Sequence, residues 1–313
     1  AERSALVRAG IDIGGTFTDA VLIDADGALT VGKVRTTPDD FARGFQDGLA
    51  ALLDSTGLTP EAVGYLVHGT TVATNAIVQR RTAKVGLLTT AGFRDVLAIG
   101  TQLRPSLYDM HKPKPEPLVP AELRLEVEER IGPQGEVIRP LREADVERAA
   151  RAFAEAGVEA VAIAFLFSFV DSSHEEQAAE LLARHLPGVP ITLSSRVAAE
   201  FREYQRTSTT AINASLLPLV GAYVQRLSDA LTTKGVRAPL HLMQSNGGVT
   251  TGQTAAELPV GLIASGPAAG VISGARIASA LGSEDVLTFD MGGTTADVGL
   301  VIGGEAQLRY SGE

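Results

Sequence analysis

The chain has 313 residues, 45% of them hydrophobic, which supplies a sizeable core and suggests two domains or two halves of one. Acidic side chains outnumber basic ones, 37 to 27, for a net charge of −10, and no long basic run occurs, which argues against a nucleic-acid partner. The absence of cysteine excludes disulfides, thiolate metal sites and a cysteine nucleophile within the chain.

Abundant glycine (33 residues) without tryptophan suits an α/β protein with tight turns. The charged start, AERSALVRAG, runs directly into a strand and does not read as a secretory signal. LVRAGIDI, DAVLID and LTVGKVR are short, β-branched runs broken by glycine or by the hairpin pair Asp26-Gly27. Phe41, Phe45, Leu49, Leu52 and Leu53 then share one face of a helix. YLVHG reads as a buried strand, TTVATNAIVQR as a helix opening on Thr70 or Thr71, and KVGLLTT as the next strand. Three hairpin-like strands followed by helix, strand, helix and strand is the order of an RNase H-like domain.

Residues 104–120, RPSLYDMHKPKPEPLVP, hold five prolines and predict an extended loop. LRLEVEERI alternates like an exposed edge strand. A helix lined by Val146, Ala149, Ala150 and Phe153 stops at Gly157, and AVAIAFLF follows as a strand buried on both faces. HEEQAAELLARHL is another helix and PITLSS another strand. The most apolar run, AVAIAFLFSFV at 160–170, is too short to span a bilayer, so the expectation is a soluble cytoplasmic protein with no membrane partner. The charge-dense EFREYQRT at 200–207 opens a helix and predicts a solvated face or an interdomain salt network. Ile212, Leu216, Leu219, Tyr223, Leu227 and Leu231 continue it, with Pro218 expected to kink or divide it. LHLMQSNGGV is a strand into a glycine turn, LIASGPAAGVISGARIASALG a glycine-rich loop feeding a helix, and VLTFDMGG, TADVGLVIGG and AQLRYSG three strands. The first and last segments repeat one architecture. The expected division is an N-terminal half with an inserted α/β segment over 1–195, then a helical segment and the start of a second half over 196–313.

The repetition is literal in two places. DIGGTFTD at 12–19 and DMGGTTAD at 290–297 share the frame D-x-G-G-T-x-x-D, and each follows an apolar strand and leads into another. The aspartate is held at a sheet edge, two glycines let the backbone turn with nothing on Cα to block a ligand, and successive N–H groups form an anion-binding concavity. One copy is an ordinary hairpin. Two copies facing each other across a cleft would grip nucleotide phosphates from both sides, with two carboxylates to hold hydrated Mg²⁺ and orient a nucleophile.

The paired frames are similar to the two phosphate motifs of the actin/Hsp70/sugar-kinase superfamily. More narrowly, the chain resembles the ATP-dependent subunit of the hydantoinase/oxoprolinase family. GIDIGGTFTDAVLID, VHGTTVATNAIVQR, GLLTTAGFRDVLAIG, RPSLYDMHKPKPEPLVP, EFREYQRTSTTAINASLLP, MQSNGGV with ASGPAAGV, and FDMGGTTADVGLV carry that resemblance. It implies an RNase H-like duplicated α/β fold with a nucleotide cleft between halves, the second half incomplete in this chain. It implies ATP and Mg²⁺, and ATP-driven opening of a cyclic amide such as a hydantoin, 5-oxoproline or a lactam. An ATP-dependent ketone carboxylase subunit and a non-catalytic ATP-binding assembly module stand as alternatives. A second, hydantoinase B-type subunit or fused segment is the implied partner.

On this resemblance Asp12 binds Mg²⁺ through water, and Asp290 is the second carboxylate, for Mg²⁺ or for the attacking oxygen. Gly14, Gly15 and Thr16 cradle phosphates from one side, and Gly292, Gly293, Thr294 and Thr295 from the other. Asp19 and Asp297 close the frames, as functional groups or as turn caps. His68, Thr70 and Asn75, at a strand end before a helix, are cleft candidates against a reading as a packed histidine with capping groups. Gln244 and Asn246 are candidates against a reading as polar caps of a turn. The five histidines form no H-x-H or H-E-x-x-H arrangement, which argues against a transition-metal site.

Overall fold

The computed structural model describes residues 6–37, 40–103, 106, 108–109, 111–291 and 296–307. Two compact units emerge: residues 1–80 with 220–313, and residues 81–219. The chain leaves the first unit after residue 80 and returns to it at 220, so the second unit is an insertion in the first.

In the first unit, β1 (Val7–Ile13), β2 (Phe17–Ile23) and β3 (Leu29–Arg35) form an antiparallel meander, followed by α1 (Phe41–Thr56), β4 (Val63–Thr70) and α2 (Val72–Val78). The alternation read from the sequence is the buried/exposed alternation of β1 and β2. Ile11, Ile13, Ala20 and Leu22 point into a core shared with Phe45, Leu49 and Leu52 of α1, and α1 stops at Gly57 in a left-handed turn (φ 70°). β4 lies parallel to β1.

The second unit contains β5 (Val85–Thr90), α3 (Val96–Ile99), β6 (Arg124–Val127), β7 (Arg130–Ile131), β8 (Val137–Arg139), α4 (Glu143–Ala156), β9 (Ala160–Ala164), α5 (Ser173–His185), β10 (Ile191–Leu193), α6 (Ser194–Val197) and most of α7 (Glu203–Thr233). β10, β9, β5 and β6 make a parallel sheet in that order. Every residue of β9 is buried, as its continuous apolar run predicts. KVGLLTT thus belongs to this sheet and not to that of β1, a correction to the expected strand order. LRLEVEERI is an edge strand, but it breaks into β6 and β7, and Arg124 and Val127 are buried.

α7 is one continuous helix through Pro218, so the proline does not divide it; close by, the Ser215 carbonyl accepts the Ala83 N–H at 2.9 Å. Arg206, in the stretch expected to be a solvated face, is 1% exposed and donates to the carbonyls of Glu200 (2.8 Å) and Phe165 (3.1 Å). Nearby, the fully buried Glu175 accepts from the Phe165 N–H at 3.0 Å, the Ser194 hydroxyl at 2.6 Å, and the N–H and hydroxyl of Ser195 at 2.9 and 2.7 Å. Glu175→Ala strands these buried donors, and the expected loss is about 3–5 kcal/mol of unfolding free energy, read from the urea midpoint.

The chain re-enters the first unit through β11 (Leu240–Met243), which pairs parallel with β4, and β12 (Val249–Thr251), which pairs antiparallel with β11. Among the described residues the sheet order is β12-β11-β4-β1-β2-β3. α8 (Gly252–Glu257) and α9 (Ser265–Ala280) follow, then β13 (Val286–Met291), β14 (Ala296–Ile302) and β15 (Glu305–Ala306) as a second antiparallel meander. Among the described residues no helix is long and apolar enough to cross a membrane.

Candidate functional site

The repeated frame builds the same hairpin twice. In the first, Asp12 stands opposite Asp19, and Ile13 opposite Thr18 closes the ladder before the tip. In the second, Asp290 stands opposite Asp297, and Met291 opposite Ala296 closes the ladder. Directly opposed residues share a face, so each frame sets two carboxylates side by side. Asp19 is further opposed by Lys33 and forms an exposed ion pair with it at 2.8 Å. Gly292, Gly293, Thr294 and Thr295 lie outside the described residues.

The first tip is braced from a distance. The Gly14 N–H bonds the Phe17 carbonyl at 3.0 Å, the Thr36 hydroxyl donates to the Gly14 carbonyl at 2.9 Å, and the Thr36 N–H to the Thr16 carbonyl at 3.0 Å. Among the described residues no group bonds the N–H of Gly15 or Thr16, and a Cβ on Gly15 would meet nothing within 4 Å. That leaves an open tip with donors for an anion. Asp12 is packed on its other side: parallel pairing sets Gly69 beside it, and a Cβ on Gly69 would lie 2.5 Å from Asp12 Oδ1. Sequence reading missed Thr36, Lys33 and Gly69, since strand pairing alone brings them to the frame.

Asp12 is solvent-accessible, yet its carboxyl is held above the ordinary carboxylate range. The main cause is partial withdrawal of the group from water, followed by the like charges of Asp19 and Asp290. Asp290 therefore acts on Asp12 although almost the whole chain separates them.

The flanking candidates fare differently. His68 is fully buried rather than on a cleft wall. Its Nδ1–H donates to the Ile11 carbonyl at 2.9 Å, its Nε2 accepts from the Tyr223 hydroxyl at 2.6 Å, and Phe45 packs edge-on 5.0 Å away. Thr70 is also buried; its hydroxyl accepts the Val72 N–H at 3.2 Å, and its carbonyl accepts from the Ser265 hydroxyl at 3.3 Å. Both are structural supports beneath β1, a correction to the cleft expectation. Asn75, partly buried, donates to the Thr71 hydroxyl at 3.1 Å. Asn246 is exposed and accepts the Gly248 N–H at 2.8 Å, while the Gln244 backbone N–H bonds the Gly248 carbonyl, the arrangement of a polar-capped turn.

Burial pushes the His68 pKa from 6.5 down to about 4. The unfolded chain takes up that proton below pH 6.5 and the folded chain resists it, so the contribution is whole above 6.5 and is lost as pH falls through that window. Between pH 7 and 4 about 3 kcal/mol of stability should disappear, and His68→Gln should remove this part of the pH dependence.

Fold and frames together define a mixed α/β protein with two hairpins that each set a pair of aspartates side by side. Residues 8–186 match the hydantoinase/oxoprolinase N-terminal region and residues 206–313 the hydantoinase/oxoprolinase family, so the chain belongs to the hydantoinase/oxoprolinase family. It is 39% identical over 307 residues to caprolactamase subunit alpha of Pseudomonas jessenii, covering 96% of this chain and 44% of the relative. The crystal structure of the ATP-dependent caprolactamase from that organism superposes with a TM-score of 0.84 at 38% identity, over 94% of this chain and 43% of the other. The nucleotide-free structure of acetone carboxylase, from a study of ATP-dependent acetone carboxylation, superposes with a TM-score of 0.88 at 28% identity, over 96% and 44%. The chain thus spans less than half the length of these relatives.

Proposed function

We propose that this chain is the ATP-using part of an enzyme that hydrolyses a cyclic amide such as a hydantoin, 5-oxoproline or a lactam. The reading is supported by the repeated hairpin: two D-x-G-G-T-x-x-D frames, remote in sequence, each pair their aspartates across two strands in the same register, and Asp290 is among the charges that hold the Asp12 carboxyl up. The likeness to caprolactamase supports the amide. On this reading the fold is an RNase H-like duplication with the nucleotide held between the two hairpins.

The donor set suits Mg²⁺. That ion keeps several waters and needs only one or two carboxylates beside substrate phosphates. Asp12 and Asp290 would hold hydrated Mg²⁺, which would supply charge neutralisation at the phosphates. Gly14, Gly15 and Thr16, with Gly292, Gly293, Thr294 and Thr295, would hold the phosphates by backbone N–H groups.

The chemistry explains the need for ATP. An amide carbonyl is a poor electrophile because nitrogen donates into it. Transfer of the terminal phosphoryl group to the carbonyl oxygen releases ADP and makes the carbon electrophilic. Water then adds to that carbon, the ring C–N bond opens, and hydrolysis releases phosphate. Ring opening in the complete enzyme would involve a second, hydantoinase B-type subunit or segment. Ketone carboxylation is the second reading, supported by the acetone carboxylase superposition.

The test is ADP release from Mg-ATP by the complete enzyme with 5-oxoproline, a hydantoin and ε-caprolactam added in turn. Stimulation by one of them is expected. Stimulation only by a ketone with bicarbonate would overturn the amide reading in favour of the carboxylase.

A further inference from the structure

The repeated frame aligns the two meanders position by position. With Asp12 matched to Asp290 and Asp19 to Asp297, the opposed pair Ile11 and Ala20 corresponds to Phe289 and Val298. Ala9 and Leu22 correspond to Leu287 and Leu300, and Ile13 to Met291. The second hairpin therefore keeps an apolar residue at each of these positions. Side chains alternate between the faces of a strand, so each set lies on one face of its hairpin.

The two faces differ in what covers them. In the first meander Ala9, Ile11, Ile13, Ala20 and Leu22 are at most 3% exposed. α1 lies over them: a Cβ on its Gly48 would meet Ala20 at 3.6 Å and Ile11 at 3.8 Å, and its Phe45, Leu49 and Leu52 are fully buried. In the second meander Leu287, Phe289, Met291, Val298 and Leu300 are 46% to 72% exposed. α9 packs on the opposite face, where Val271 closes on Gly299 and Thr288 on Gly274, and where Val301 is buried. Among the described residues the apolar face thus has no cover. A contiguous apolar surface of this kind marks an interaction site on a soluble protein.

We propose that Leu287, Phe289, Met291, Val298 and Leu300 seat an amphipathic helix of the same polypeptide, carried outside residues 1–313. The first meander shows the shape that fits. Its cover, α1, is apolar at Phe45, Leu49, Leu52 and Leu53, the i, i+4, i+7, i+8 stripe of a helix lying on a sheet. A hairpin with the same register and the same apolar positions takes the same kind of cover. The relatives supply the source, since the part they share with this chain is less than half their length. The inference stands on the repeat and on exposure, and is independent of whether the frames turn over ATP.

The complete polypeptide, purified without a partner subunit and without nucleotide, tests this. Residues 1–313 contain no cysteine, so a thiol placed at Leu300 is read cleanly by mass spectrometry of the peptide that carries it. Leu300→Cys is expected to react with a maleimide at least about a hundredfold more slowly than the same site in concentrated urea, at every protein concentration. Leu287→Cys repeats the reading if circular dichroism shows Leu300→Cys to be unfolded. The photo-cross-linking residue p-benzoylphenylalanine in place of Phe289 should join, within one chain, a segment outside 1–313 whose apolar residues have the spacing of α1. Fast labelling of the folded cysteine variant would overturn the proposal, as would protection that fades on dilution, the mark of a second copy. A cross-link to another chain, or to a segment within 1–313, would overturn it too.

Discussion

If the proposed site is right, Asp12→Asn is expected to lower ATP turnover by the complete enzyme about a thousandfold, the scale of losing one group that stabilises charge in the transition state. The same variant melts above the parent protein. Both outcomes follow from one fact. Asp12 sits among like charges and partly out of water, so its carboxyl is held above its ordinary pKa. For such a group the native state binds more protons than the unfolded state, and stability falls as pH rises through the window between the unfolded and folded pKa values. Above that window the full penalty is present. Asparagine keeps the shape and removes the charge, which relieves the repulsion from Asp19 and Asp290. A carboxylate retained only for the fold would behave oppositely, since its loss would lower the melting temperature and spare turnover. Activity and melting scans on the same preparation check both arms, and stability spent on function in this way is common at active sites.

Gly69→Ala has the second largest effect, about a hundredfold in kcat, without touching the frame itself. The added methyl would stand 2.5 Å from Asp12 Oδ1, closer than nonbonded atoms approach, and in tight contact with its Cγ at 3.3 Å. The strands cannot separate to relieve this, because β4 is held between β1 and β11. The Asp12 side chain must rotate instead, and a misplacement of about 1 Å is enough for a loss of that size. Steady-state kinetics should show the fall chiefly in kcat, with the half-saturating Mg²⁺ concentration raised. Unchanged kinetics in a folded Gly69→Ala variant would mean that the carboxylate needs no fixed direction.

What the sequence revealed depended on whether the information was local. The Gly-Gly turn between two apolar strands was enough to read each frame as a hairpin, and both hairpins are present; that the two aspartates of a frame stand opposite each other emerged only from the register. The helical face of α1 and the unbroken apolar run of β9 were legible for the same reason. Sheet neighbours were not. A strand period reports which side chains are buried, not which strand lies alongside, so KVGLLTT was assigned to the wrong sheet and the true neighbour of β4, β11, lies far along the chain. Gly69 and Thr36 escaped notice because their roles arise from cross-strand pairing. His68 and Arg206 were misjudged because a polar side chain carries no local sign of burial; buried partners such as Tyr223 and the Phe165 carbonyl decide it.

The account rests on the two frames acting as one site, and a double-mutant cycle of Asp12→Asn and Asp290→Asn on ATP turnover by the complete enzyme tests that most directly. Groups that work as a unit are strongly non-additive, so the double variant should turn over ATP about as slowly as either single variant. Losses that multiply, or an Asp290→Asn variant with normal turnover, would contradict it.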